Sequence, residues 1–130
     1  MPSWKRFVPE WPDELVIELE LGPRSRRYNI PLRIGPIFIL EMRPEPNLAR
    51  SALSAVARGS LIMKELVPPT DEPATCPLRD LQIQGQRIPD LDLPVSGRLD
   101  RVDGVFGLDF FRSYRIVEFD PRSFRLILRK

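Results

Sequence analysis

The chain has 130 residues, a length typical of one globular domain with a modest core. Its formal net charge of +2 is too small to favour a nucleic-acid partner, and its single cysteine excludes an intramolecular disulfide. The absence of histidine excludes Cys-His and Ser-His-Asp catalysis and disfavours a zinc site. We therefore expect no metal and no other cofactor.

Apolar segments and prolines indicate where and how the chain folds. No apolar stretch approaches the length of a membrane span, and the first 14 residues lack the continuous apolar segment of a signal peptide. We therefore expect a cytoplasmic protein with no membrane partner. The 15 prolines stand mostly outside the apolar runs, which favours short strands joined by stiff loops.

Residues 1–14 predict an N-terminal arm, and residues 15–130 predict the folded domain. In the arm, Trp4, Phe7 and Trp11 are interleaved with prolines that forbid a regular helix. We expect these aromatic side chains to cover part of the domain or of a partner subunit. A short docking peptide is the alternative.

Residues 15–21 alternate apolar and acidic side chains, which predicts a half-buried strand. A turn with three arginines follows, at Arg24, Arg26 and Arg27. Such a cluster is most often a solvated loop, and a patch for an anionic partner is the alternative.

Residues 29–34 and 37–42 predict a hairpin around Gly35-Pro36, and the nearly all-apolar second arm is expected to be buried on both faces. Residues 48–58 predict a helix with Asn47 as its N-cap and Gly59 just beyond its end.

Residues 61–67 predict a further strand, followed by a proline-rich loop that extends to Pro77 and contains Cys76. Two short strands, 78–83 and 87–93, flank Gln84-Gly85-Gln86 as another hairpin. Residues 95–101 predict a polar connection.

The C-terminal third begins with Val105-Phe106-Gly107, two apolar residues followed by a residue that allows close backbone approach. Residues 108–113 predict a short helix. Residues 115–119 and 124–128 predict a hairpin, because residues 120–123 fit a type I turn with Asp first and Pro second. The helix residues expected to face the core are Leu108, Phe110 and Phe111.

This third of the chain resembles the retropepsin-like family, the single-lobe aspartic proteases of retroviruses and bacteria. Val105-Phe106-Gly107, residues 108–111 and residues 115–120 match its apolar-apolar-Gly, helix and closing-strand pattern in type and spacing. The resemblance implies an all-β fold with one or two short helices, a closed β-barrel of the acid-protease type. It also implies a homodimer built through the N- and C-terminal strands.

In that family, a catalytic Asp-Thr/Ser-Gly triplet follows the second strand of the hairpin. The residues that align with it are Glu41, Met42 and Arg43, in a register that a shift of one or two residues would also satisfy. The glutamate would displace its carboxylate by roughly 1 Å, which costs activity. The methionine lacks the hydroxyl, and the arginine cannot easily adopt glycine conformations. We therefore expect no catalytic residue in this chain.

The resemblance also implies a substrate groove and a mobile flap. The residues that would form the groove floor are Glu41, Arg43, Val105, Phe106 and Gly107. The flap region, residues 64–81, contains no glycine and four prolines, so we expect a stiff loop rather than a mobile lid.

Three functions follow from these observations. The preferred hypothesis is a non-catalytic, homodimeric retropepsin-like domain that binds a peptide or protein segment, or serves as a scaffold. The alternative is an aspartic-type endopeptidase that uses Glu41 in place of the catalytic aspartate. The third is a binder of anionic surfaces or nucleic acid through its arginines, which the low net charge disfavours.

Overall fold

The computed structural model describes residues 10–23, 26–69, 75–99 and 101–130. In these residues it shows mainly β structure with two short helices, as the sequence predicts. The elements are β1 (Glu14–Glu18), β2 (Glu20–Leu21), β3 (Tyr28–Ile34), β4 (Phe38–Pro44), β5 (Ala52–Ser54), α1 (Ala55–Met63), β6 (Thr75–Leu78), β7 (Leu81–Ile83), β8 (Gln86–Ile88), β9 (Leu91–Ser96), β10 (Gly104–Phe106), α2 (Leu108–Phe111), β11 (Ile116–Asp120) and β12 (Arg125–Arg129).

Parts of several predictions lie outside the described residues. These are residues 1–9 of the arm with Trp4 and Phe7, Arg24 in the arginine turn, residues 70–74 of the proline-rich loop, and Asp100 in the polar connection. Among the described residues, no helix is long and apolar enough to span a membrane.

The larger sheet has the strand order β6-β9-β5-β10-β4-β3-β7-β8, with β2 paired to β3 outside this path. It is strongly curled into a half-barrel, and its end strands β6 and β8 are not neighbours in the described chain. Strand β10 runs parallel to β4 and antiparallel to β5. Strand β10 therefore lies in the middle of the sheet, although its residues come late in the sequence.

The terminal strands form a separate sheet in the order β1-β12-β11. On its inner face, Leu15 pairs with Leu128 and Ile17 with Leu126, and all four side chains are buried. On its outer face, Arg129 bonds Glu14 at 2.9 Å. The predicted alternation of apolar and charged side chains in the first and last strands thus produces a sheet with one buried apolar face and one charged outer face.

The β3–β4 hairpin is confirmed, with Leu32 opposite Leu40. The expectation that its second arm is buried on both faces is wrong. Leu40 and Met42 are buried, whereas Ile37 is 83% exposed and Ile39 is also exposed. The reason is that a strand in an antiparallel hairpin can pack one face on the core and leave the other open.

The predicted helix over residues 48–58 is wrong, because the helix begins at Ala55. Its N-cap is Ser54, whose Oγ accepts a hydrogen bond from the Ala57 N–H at 3.0 Å, and not Asn47. Residues 48 and 49 lie outside the helix, and their carbonyls accept from the Leu108 N–H at 2.7 Å and the Asp109 N–H at 3.2 Å. Tertiary hydrogen bonding therefore overrides local helix propensity here.

Displacement of this helix also corrects two neighbouring predictions. Gly59 lies inside α1 and does not end it. The predicted strand over residues 61–67 is wrong, because residues 61–63 belong to α1 and residues 64–67 form turns and bends. The helix ends at Met63, and the N–H of its C-cap, Lys64, donates to the carbonyl of Ser60 at 3.1 Å.

The β7–β8 hairpin is confirmed, and Gln84 and Gly85 form its turn with φ of 49° and 83°. Two positive φ values are the signature of a type I′ turn. Two smaller predictions differ from the structure. Cys76 lies in β6 and not in a loop, and β9 continues to Ser96, which shortens the predicted polar connection.

The C-terminal third follows the predicted order of strand, helix and hairpin. Phe110 and Phe111 are buried as expected, and the Phe110 ring stacks on Phe106 at 4.2 Å. Leu108 is 37% exposed, which contradicts the prediction that it faces the core. It is the first residue of α2, whose buried residues are Phe110 and Phe111.

Candidate functional site

The three residues aligned with the catalytic triplet all lie inside β4. Met42 is completely buried, while Glu41 and Arg43 flank it on the opposite face and are partly buried. The predicted strand end at Met42 was therefore too early, because β4 continues to Pro44. The positions that directly follow the observed strand are Glu45, Pro46 and Asn47.

Glu41 lies beside Asp103, and its backbone N–H donates to Asp103 Oδ2 at 2.7 Å. Asp103 is itself buried, and its carbonyl accepts from the Ser54 N–H at 2.7 Å. Asp103, which precedes β10, is thus hydrogen-bonded both to β4 and to the N-cap of α1. Sequence reasoning missed this role because Asp103-Gly104 has the composition of an ordinary turn.

Two cavities meet at Glu41. One of about 260 Å³ extends toward Leu99 and Arg101, and one of about 230 Å³ extends toward Glu20 and Ile39. Glu41 therefore lines both cavities. The expectation that Glu41 belongs to a groove floor is consistent with this position, and its binding role stays a prediction.

The loop that follows β4 is held against the end of β10 through backbone hydrogen bonds. The Glu45 N–H donates to the Phe106 carbonyl at 2.8 Å, and the Asp109 N–H donates to the Ala49 carbonyl at 3.2 Å. A Cβ atom added at Gly107 would lie 2.6 Å from the carbonyl carbon of Arg50. Gly107 is therefore required by close backbone approach, as the apolar-apolar-Gly pattern predicts.

Ser51 and Asp109 fasten the other end of this loop. The Ser51 Oγ donates to Asp109 Oδ1 at 2.6 Å and accepts from the Gly107 N–H at 2.9 Å. The Ser51 N–H donates to the same carboxylate oxygen at 2.9 Å. Nothing in the local sequence pairs these residues, which are 58 positions apart, so sequence reasoning could not find them.

Val105 and Phe106 are both buried within the chain. They form the wall behind the loop and present no exposed surface of their own in a single subunit. Arg43 is directed toward the loop instead, with its Nη1 3.9 Å from Glu45 Oε1.

The remaining chemistry of the described residues is limited. Cys76 is buried, and burial raises the pKa of its thiol, which disfavours the thiolate needed for nucleophilic attack. No group of three or more Cys, Asp or Glu side chains in the described part of the chain could hold a metal ion.

Comparisons with known proteins support the fold. No family model matches the chain, and no curated protein matches it. A crystal structure of a retropepsin-like aspartic protease from Rickettsia conorii matches with a TM-score of 0.53 and 18% identity, over 98% of this chain and 96% of that one. The chain therefore has a retropepsin-like fold, and the fold prediction is confirmed.

Proposed function

We propose that this retropepsin-like fold serves as a non-catalytic homodimer that binds an extended peptide or protein segment, or acts as a scaffold, in the cytoplasm. The observation that carries the proposal is the sequence around the end of β4: neither Glu41-Met42-Arg43, which align with the family's triplet, nor Glu45-Pro46-Asn47, which follow the strand, contains an aspartate or a glycine. The sequence contains neither Asp-Thr-Gly nor Asp-Ser-Gly at any position.

The chemistry of the loop supports this proposal. An aspartic protease needs two carboxylates close enough to share one proton across the subunit interface. Pro46 supplies neither a hydroxyl nor a backbone N–H that could bond an opposing loop. Arg43 Nη1 lies 3.9 Å from Glu45 Oε1, so the Glu45 carboxylate forms an ion pair within its own subunit.

The terminal sheet supports a dimer. Strand β11 pairs with β12 on one side and has no strand neighbour on the other in the described chain. Ile116, Val117 and Phe119 are exposed along it, with Phe119 at 51%. The free edge of such a strand leaves backbone N–H and C=O groups without a strand partner. Antiparallel pairing of β11 with β11 of a second subunit about a two-fold axis would satisfy these groups.

A cleavage assay tests the loss of catalysis. Purified protein is incubated with a mixed peptide library between pH 3 and 7, together with Glu41→Gln and Glu45→Gln variants. We expect no cleavage by any of the three proteins. Cleavage by the unmodified chain that disappears in either variant would establish the endopeptidase alternative, whereas equal cleavage by all three would reveal a contaminating protease.

Sedimentation over a range of concentrations tests the dimer. We expect the protein to form a dimer, and we expect Ile116→Lys to weaken the association of its subunits, because Ile116 lies in the edge strand β11. The side chain of Ile116 lies on the face of the strand opposite Val117. Ile37→Lys is the matched control, since Ile37 is exposed in a turn of the other sheet. A chain that stays monomeric at all concentrations contradicts the proposed assembly.

A further inference from the structure

The terminal sheet has two outer edges at which a further strand could add. Strand β12 lies between β1 and β11, so these edges are the outer sides of β1 and β11. An open edge strand carries backbone N–H and C=O groups without partners and tends to associate with other strands. The state of each edge therefore decides where a second copy of the chain can pair with this sheet.

The outer edge of β1 is covered at one end by a glutamine from the turn of the β7–β8 hairpin. The Glu18 N–H donates to Gln84 Oε1 at 2.7 Å, and Gln84 Nε2 donates to the Glu18 carbonyl at 2.7 Å. In an antiparallel ladder, two facing residues exchange the same pair of hydrogen bonds through their backbones. The side-chain amide of Gln84 therefore takes the place of a neighbouring strand.

A second glutamine of this hairpin covers the other end of β1. Gln86 Nε2 donates to the Glu14 carbonyl at 3.2 Å. Alternate residues of a strand direct their backbone groups to the same edge, so Glu14 and Glu18 share the outer edge of β1. Two copies of β1 paired about Val16 would also place Glu14 opposite the partner's Glu18, and like charges in that position are destabilising. Hydrogen bonds and charge thus both oppose pairing at β1.

The outer edge of β11 has no such cover. Among the described residues, no side chain is hydrogen-bonded to the β11 backbone, and β12 is its one strand neighbour. Val117 and Phe119 are exposed along this strand. The two edges of the terminal sheet therefore differ in hydrogen bonding and in the apolar surface that a second copy could bury.

We propose that Gln84 and Gln86 close the β1 edge and so restrict pairing of the terminal sheet with a second copy of the chain to β11. This inference rests on the proposed dimer and adds what limits it to two subunits. With both edges open, two-fold contacts at β1 and at β11 would alternate from copy to copy, and the assembly would not close. With β1 covered, each chain keeps one edge for pairing and assembly stops at the dimer.

The double variant Gln84→Asn, Gln86→Asn removes the cover and preserves the hairpin. Asparagine keeps the amide but is shorter by one methylene, a loss of roughly 1.5 Å in reach. It also tolerates the φ of 49° at Gln84 better than most residues do. Gln82→Asn is the matched control, since Gln82 lies in β7 of the same hairpin and is not bonded to β1.

Sedimentation of the full chain tests the proposal, at about 1 M salt so that exposed like charges are screened. We expect dimers of the unmodified chain and of Gln82→Asn. The double variant should form larger assemblies, whose average mass rises severalfold with concentration. A double variant with the mass of the unmodified chain at every concentration would overturn the proposal. A monomeric unmodified chain with a dimeric double variant would instead refute the proposed β11 dimer and support closure of the β1 edge.

A cysteine at the centre of β1 locates the new contact. Antiparallel pairing of two β1 strands that uses the freed groups of Glu14 and Glu18 brings the two copies of residue 16 together, within reach of a disulfide. Val16→Cys should therefore cross-link two chains in the double variant and not in the otherwise unmodified chain. The unmodified chain is the blank, since its single cysteine, Cys76, is buried. Large assemblies without this cross-link would place the contact elsewhere and contradict the proposal.

Hydrogen exchange in dilute protein measures the cover itself. The Glu18 amide should exchange severalfold faster in Gln84→Asn than in the unmodified chain or in Gln82→Asn, because it loses its acceptor. Equal exchange in the three proteins would show that Gln84 does not cover the edge, and this single variant keeps the proposal testable if the double variant fails to fold.

Discussion

Strands β10 and β11 both carry large apolar side chains, but their surroundings are opposite. All three residues of β10 are buried, whereas Ile116, Val117 and Phe119 of β11 are exposed. The two strands also differ in position, since β10 lies between β5 and β4 in the larger sheet, whereas β11 is at the end of the terminal sheet with one neighbour in the described chain. We therefore expect the exposed apolar residues of β11 to take part in the proposed association.

Two phenylalanines give the largest expected contrast. Phe106→Ala should lower the free energy of unfolding by about 3–5 kcal/mol, because it leaves a cavity in a fully buried site. Phe119→Ala should lower it by less than about 1 kcal/mol in the monomer. Urea unfolding of both variants checks this contrast, and equal losses would mean that β11 is as well packed as β10.

Two glycines test the close approach at the end of β10. Gly107→Ala should cost about 3 kcal/mol, since the added Cβ atom would meet the backbone of Arg50. Gly97→Ala should change stability by less than about 0.5 kcal/mol, because nothing lies within 4 Å of its added Cβ atom. A Gly107→Ala variant as stable as the control would show that the loop can move away from β10.

Two serines test how firmly the loop is fastened. Ser51→Ala removes hydrogen bonds to Asp109 and from Gly107 and should cost about 1.5 kcal/mol in urea unfolding. Ser123→Ala removes an exposed bond to Asp120 in the turn after β11, and should cost less than about 0.5 kcal/mol. Similar small losses in both variants would argue against a role for Ser51 in positioning the loop.

The smallest expected effect is confined to alkaline pH and concerns Tyr114 beside β11. Its folded pKa of about 12 lies above the ordinary value of 10, so the folded chain keeps a proton that the unfolded chain releases. Stability is unaffected below pH 10 and falls between pH 10 and 12. Tyr114→Phe should remove the part of this loss that Tyr114 causes, as measured by urea unfolding at pH 9 and 11. An unchanged loss in the variant would assign it to other groups.

Sequence reasoning was most successful where local signals and tertiary position agree. The C-terminal elements were recovered because Val105-Phe106-Gly107, the short helix and the Asp120-Pro121 turn each have a strong local cause. The β7–β8 hairpin was recovered for the same reason, through the turn at Gln84-Gly85.

Sequence reasoning failed where distant backbone groups decide the structure. Residues 48–51 have apolar and polar side chains at helical spacing. However, the carbonyls of Leu48 and Ala49 accept hydrogen bonds from the N–H groups of Leu108 and Asp109. The Ser51 hydroxyl in turn donates to the Asp109 carboxylate. No pattern within residues 47–59 records those partners. The same limit affected the candidate site, since the end of β4 at Pro44 depends on its pairing with Phe106.

The pairing of β1 with β12 has a consequence for biosynthesis. Glu14 and Arg129 are 115 positions apart, so the first strand of the domain emerges from the ribosome long before its partner exists. Until then Leu15 and Ile17 lack the strand that buries them, and the nascent chain must protect them in another way. Closing so long a loop also slows folding, so this sheet is expected to assemble last.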